Sequence, residues 1–349
     1  MRLRSTKAIG DPDIERLRAA SRDETTAVEL FEGLRWGGDP VCPTCGKRNV
    51  YRMTDGNGAR HPKLRWRCRA CSRQFTVRAA TVMEESLLPL RCWAYAFWKA
   101  CTSKKGIAAL QLSRELDINY KSALFLLNRV QRAMAEWKPP PSGDGATDAC
   151  GPGLSCGGGS VETSQTSVGG KPRRGNAGGR KPGCETSKMP VFVMVEHGGS
   201  IRIRMMPGIG GVKQRLTAKA LGSVIRECVE GTSRRIADDY YSAYRPIGRT
   251  QPGGHFAVKH SEGEYVRKGM DIHSNSAEPV SSRLGLGVYG TCHSISKRHL
   301  PRYSAEFEFR SNTGWLEEGQ SASRAVRPAQ GRRLAYREPP TAIQTATGT

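Results

Sequence analysis

The chain has 349 residues, with 55 Lys and Arg against 32 Asp and Glu, a net charge of +23 and a pI near 9.9. That charge calls for a polyanionic partner, nucleic acid before an anionic membrane surface, and the length fits two or three domains. Hydrophobic content of 37% with 40 Gly and 20 Pro leaves part of the chain unpacked. The sequence has no apolar run near the roughly 18 residues of a membrane span and no signal-peptide core in MRLRSTKAIGDPDIERL, so no bilayer span and no signal peptide are expected, and the membrane-surface reading is weak because no basic amphipathic anchor stands out.

In chain order, residues 1–24 are charged and read as a loose N-terminus. Residues 23–35, DETTAVELFEGLR, read as a short helix capped by Asp23, with Leu30 and Leu34 on one face. It leads into the segment 25–85, which is organised by Cys42, Cys45, Cys68 and Cys71. Each pair encloses two residues, and 22 residues separate Cys45 from Cys68. Two such knuckles present four thiolates to one tetrahedral ion, which suits structural Zn2+ and a reducing cell interior. CPTCGK places Pro and Gly where a knuckle turns tightly, and Trp66 and Phe75 are placed to pack beside the metal. The remaining cysteines show no pairing pattern and read as reduced thiols.

Residues 86–137 read as helical. A first helix starts near Pro89, with Trp93 and Phe97 on its apolar face. A second, near 106–116, carries Ile107, Leu110 and Leu116. After a turn at Asp117, Ile118 and Asn119, a third begins at Tyr120, with Ala123, Leu127, Val130 and Met134 at helical spacing. This is a helix-turn-helix pattern. Lys104, Lys105, Tyr120, Lys121, Ser122, Asn128, Arg129 and Arg132 are the side chains expected to reach phosphates or base edges of double-stranded DNA.

Residues 138–159 form a Pro, Gly and Ser-rich linker. Strands are expected over 161–168, 191–196 and 201–205, a helix over 216–229, a strand over 234–238 and a broken helical segment over 275–286. That order suggests a mixed α/β domain over 160–315. The basic run KPRRGNAGGRK reads as a solvated loop between the first two strands. Residues 316–349 are polar and expected to be disordered.

Several stretches together resemble a bacterial insertion-sequence transposase of the DDE class with an N-terminal zinc ribbon. They are LRWGGDPVCPTCG at 34–46, WRCRACSRQFTVRAATVMEES at 66–86, TSKKGIAALQLSRELDINYKSALFLLNRVQ at 102–131, VET with VGGKPRR at 161–174, HSNSAE at 273–278 and GVYGTCHSISKRHLPRYSAEFEFR at 287–310. The resemblance implies a ribonuclease H-like catalytic domain, strand cleavage and transfer with two Mg2+ or Mn2+ ions on clustered carboxylates, terminal-repeat DNA as partner, a homo-oligomer on DNA and a cytoplasmic, nucleoid-associated protein. Two ions suit phosphodiester chemistry because they activate the attacking oxygen and stabilise the leaving one.

The resemblance also tests the catalytic positions one by one. The family pattern is close to VETDETYVGG where this chain reads VETSQTSVGG, so Ser164 stands at the first aspartate position. Glu162 shares its strand face but lies about 6.5–7 Å along the strand, too far to replace an Mg2+ ligand at about 2.1 Å. The second position aligns with Asp239, its neighbour Asp238 facing the other way. The third is Asn275 or Glu278, which share a helix face. Gly285 stands where the family has a lysine, and Ser311 and Gly314 stand where Trp and Arg are expected. These departures lie in the catalytic half, so strand transfer is expected to be impaired. A DNA-binding protein without catalysis, a binder by charge alone and an unstable product are the alternatives.

Overall fold

A computed structural model describes residues 11–103, 105–137, 160–168, 189–196, 200–205, 218–228, 235–238, 245–248, 255–258, 262, 264, 266–267, 272–273, 275–292, 295–296, 299–314, 316 and 318–326. The elements are α1 (Pro12–Arg22), α2 (Glu24–Trp36), β1 (Val50–Arg52), β2 (Trp66–Cys68), β3 (Gln74–Phe75), α3 (Leu90–Thr102), α4 (Ala109–Leu116) and α5 (Tyr120–Glu136). Then come β4 (Ser160–Val168), β5 (Met189–Glu196), β6 (Ile201–Met205), α6 (Ala218–Cys228), β7 (Arg235–Asp238), α7 (Arg245–Gly248), β8 (His255–Ala257), β9 (Val266–Arg267), β10 (Ile272–His273), α8 (Ala277–Gly287), α9 (Leu300–Asn312) and α10 (Glu318–Val326). The chain divides into two compact units, residues 2–137 with 313–349, and residues 138–312.

In the first unit, local chemistry sets the helix starts. The Asp11 carboxylate accepts the N–H groups of Asp13 and Ile14, Pro12 follows it, and Asp23 caps α2 through Thr26 N–H at 2.7 Å. Gly37 ends α2 at φ +60°, where a side chain would be strained. Glu24 then caps a second helix from a distance: its two carboxylate oxygens accept Leu90 and Arg91 N–H at 2.8 and 3.0 Å. Phe31 of α2 meets Phe97 of α3 edge to face at 6.3 Å, beside the buried Trp93.

Two expectations are corrected here. The N-terminus is not loose over 12–22, because α1 buries Leu17 and Ala20 and packs on α2 and α3. The tail is not disordered over 318–326. There α10 buries Ala322, Ala325 and Val326 in the same unit, against α1, α3 and α5. Small residues made this helix look like a polar tail, yet they allow close approach: the Asp11 carboxylate also accepts Gly319 N–H at 2.9 Å, joining the starts of α1 and α10. The segments read as the ribbon, 25–85, and the helical region, 86–137, lie in one compact unit with α1 and α10.

The second unit holds a five-stranded sheet in the order β6-β5-β4-β7-β8. Strands β4, β5 and β6 pair antiparallel, while β7 is parallel to β4 and β8 parallel to β7. Alternation along the strands builds two cores. Val161, Phe192 and Met194 pack with Leu221, Val224 and Ile225 of α6 and Ile247 of α7. Val168, Val191, Val193 and Val195 face Val280 and Leu284 of α8 and Leu300 of α9. The edge strand β6 is closed by α9, with Glu308 accepting Ile203 N–H at 2.9 Å and Asn312 bonding both backbone groups of Ile201. The segment expected to be a broken helix is continuous over Ala277–Gly287 and passes into a π-helical turn, Val288–Cys292. Pro279 is tolerated because it lies in the first turn, where backbone N–H groups have no intrahelical partner.

Candidate functional site

The four cysteines converge. Cys42 Sγ lies 3.6 Å from Cys71 Sγ, Cys45 Sγ lies 3.6 Å from Cys68 Sγ, and all four sulfurs fall within 4.8 Å of one another. Zinc–sulfur bonds of about 2.3 Å in a regular tetrahedron imply sulfurs about 3.8 Å apart, whereas a disulfide needs about 2.05 Å. The quartet therefore fits one tetrahedral Zn2+. Burial raises the Cys42 thiol, but the amides of Cys45 and Thr44 and the neighbouring thiols outweigh it and bring it down to about 6. Cys68 is lowered too, chiefly by the Cys71 amide, while Cys45, although the Lys47 amide lowers it, is raised to about 11 by burial and the neighbouring thiols, so one sulfur of each knuckle favours thiolate before metal binds. Trp66 and Phe75 shield the site, each edge to face with Trp36 at 5.7 and 6.1 Å.

A buried carboxylate that sequence reasoning missed fastens this ribbon to α2. Glu32 accepts Trp66 Nε1–H at 2.7 Å and pairs with Arg60, with Arg52 at 3.8 Å. It lies among polar and apolar residues of VELFEGL, and its burial is visible only once the ribbon packs on it.

The helices α4 and α5 meet at a tight turn. Asp117 ends α4 in the left-handed region at φ +50°, and the Asn119 side chain accepts Lys121 N–H at 2.8 Å. Lys105, Tyr120 and Lys121 are exposed and Ser122 is half-buried. Arg132 is half-buried and pairs with Glu136 at 3.3 Å, and Lys104 lies outside the described residues. Arg129 and Asn128 must be reassigned. Arg129 is 2% exposed and donates to the carbonyls of Val82 and Glu84 at 2.9 and 2.8 Å, and Asn128 is 8% exposed. They face the unit's interior because α5 is covered beyond its first two turns.

In the second unit, Glu162 and Ser164 lie on the β4 face that carries α8, by alternation with Val161. Glu162 is buried, and one of its oxygens accepts the N–H groups of Ser276 and Ala277 at 2.7 and 3.1 Å. The other lies 3.1 Å from His273 Nδ1. The start of α8, flanked by Asn275 and Glu278, is thereby tied to the strand that carries Ser164. Asn275 is exposed and Glu278 half-buried. Asp239 lies outside the described residues. The donors on β4 do not fit a hard divalent cation, since Ser164 offers a neutral hydroxyl and Glu162 is engaged by helix N–H groups and His273.

Comparison with known proteins places these observations. Residues 157–312 match the model of the ISXO2-like transposase domain, and residues 22–74 match that of the transposase zinc-ribbon domain. The chain is 27% identical over 311 residues to an uncharacterized protein in the transposable element ISH50 of Halobacterium salinarum, covering 87% of this chain and 95% of that protein. That relative is archaeal, so the similarity is not confined to bacteria. No solved structure matches. Among the described residues no helix is long and apolar enough to cross a membrane.

Proposed function

The chain belongs to the ISXO2-like, zinc-ribbon-bearing family of insertion-sequence transposases, and from that premise we propose that it binds the DNA ends of its element but is impaired in strand transfer. The observation that carries this reading is the meeting of β4 and α8 through Glu162, with Ser164 where the metal chemistry calls for a carboxylate. The sheet order β6-β5-β4-β7-β8, with helices on both faces, supports a ribonuclease H-like frame for Asp239 and for Asn275 or Glu278. In such a frame carboxylates hold Mg2+ or Mn2+, which supply the electrostatic stabilisation of the phosphodiester transition state. With a hydroxyl at the first position that donor set is incomplete, and no step is derived through the ions.

DNA recognition is assigned to α4 and α5 as a helix-turn-helix, with Tyr120, Lys121 and Ser122 at the start of the recognition helix, where such helices meet base edges. Lys104 and Lys105 approach the backbone. The protein acts as a homo-oligomer on terminal repeats, in the cytoplasm and at the nucleoid.

The test uses the full chain with duplexes taken from the DNA on either side of its gene. The expected result is binding without cleavage in Mg2+ or Mn2+, with cleavage gained by Ser164→Asp. Robust cleavage by the unchanged chain would overturn the impairment.

A further inference from the structure

We propose that the outward face of the zinc-ribbon sheet is a second DNA-contacting surface, separate from the helix pair and directed at the phosphate backbone of double-stranded DNA. The inference rests on the DNA-binding reading above and adds a surface to it.

The three strands β1, β2 and β3 have two unlike faces. The inner one holds Trp66, Cys68 and Phe75 around the cysteine quartet. The registers Tyr51↔Arg67 and Arg67↔Gln74 set those three side chains in a row across the outer face, and all are exposed. Arg65 precedes β2 and Arg69 follows it, and their contacts with the outer-face residues Gln74 and Tyr51 bring both beside Arg67. Arg69 stacks its guanidinium on the Tyr51 ring at 4.9 Å, and Arg65 donates to Gln74 Oε1 at 2.9 Å, so two of the three are held in place. An oriented guanidinium loses less entropy on meeting a phosphate.

Charge identifies the partner. From Cys42 to Phe75 the sequence holds nine Lys and Arg and one acid, Asp55. That carboxylate is used inside its own turn, accepting Asn57 and Ala59 N–H at 2.9 Å each. The acids near the ribbon serve other arginines: Glu32 holds Arg60 and Arg52 on the inner side, and Asp39 holds Arg48. A face of arginines with a Tyr and a Gln between them and no carboxylate suits a duplex backbone.

The experiment measures binding of the zinc-loaded full chain to duplexes from the DNA flanking its gene and to a scrambled duplex, over a range of salt. Arg67→Ala with Arg69→Ala should weaken both by similar factors. The slope of log affinity against log salt should fall by about 2, since each lost phosphate contact removes about 0.9. Unchanged affinity and slope, with Lys121→Ala still weakening binding, would overturn the proposal and leave the transposase reading intact. No duplex binding by the unchanged chain would overturn both. A second measurement needs no variant: phenylglyoxal labelling of the wild-type protein, read by mass spectrometry. Protection of Arg67 and Arg69 by duplex supports the proposal, and equal labelling with and without duplex overturns it.

Discussion

Glu162 accepts the backbone N–H of Ser276 at 2.7 Å, although 114 residues separate the two in the chain. A buried strand carboxylate thus replaces the capping side chain that α8 does not supply itself, since Ser276 makes no side-chain cap. The helix flanked by Asn275 and Glu278 is therefore positioned by β4.

Glu162→Ala should destabilise the sheet unit by about 1–3 kcal/mol, because the amides of Ser276 and Ala277 lose their acceptor in a buried site. Denaturant unfolding measures the loss. Hydrogen exchange should rise first at the α8 start, and unchanged protection there would refute the capping role.

Arg129 and Lys121 should separate stability from recognition. Arg129→Ala leaves the carbonyls of Val82 and Glu84 without their guanidinium and should cost about 1–3 kcal/mol. Lys121→Ala should leave the melting temperature unchanged and weaken duplex binding in a salt-dependent way. A thermally silent Arg129→Ala would contradict the buried role.

Gly319→Ala tests the meeting of α1 and α10. An added Cβ would lie 2.3 Å from Asp13 Cβ and 2.9 Å from the Asp13 backbone carbon, so the helices must shift. Overpacking of this kind costs about 1–3 kcal/mol. The loss should appear in thermal unfolding of the helical unit and be absent from the sheet unit.

Chelation should unfold the ribbon, since structural zinc sites contribute roughly 10–16 kcal/mol of folding free energy. Trp66 emission should shift to the red as its burial is lost. The sign with pH follows from the thiols. Cys42 is lowered from 9.0 to about 6, so its contribution is present above 9.0 and lost as pH falls through about 6. Zinc affinity should fall on acidification through that range, as a competition titration would show.

Much of this molecule is written locally. The spacing of Cys42, Cys45, Cys68 and Cys71 anticipates a converging quartet, because short knuckles leave few other arrangements. The strand Ile201–Met205 and the start of α5 at Tyr120 follow from alternation and from the turn at Asp117 to Asn119. The hydroxyl of Ser164, where the resemblance expects a carboxylate, is equally plain in the chain and needs no fold to be seen.

Other features were settled only in three dimensions, by partners distant in sequence. Arg129 has the composition of a DNA contact, and the carbonyls of Val82 and Glu84, brought beside it by packing, make it structural. Small residues over Glu318–Val326 resemble a tail until α1 arrives, with Asp11 bonded to Gly319 across 308 positions. Glu162 reads as an ordinary strand residue beside Ser164, yet its carboxylate caps α8. Periodicity, caps and metal spacing depend on near neighbours and can be read from the chain. The burial of a charge depends on what the fold sets against it, and only the tertiary structure decides that.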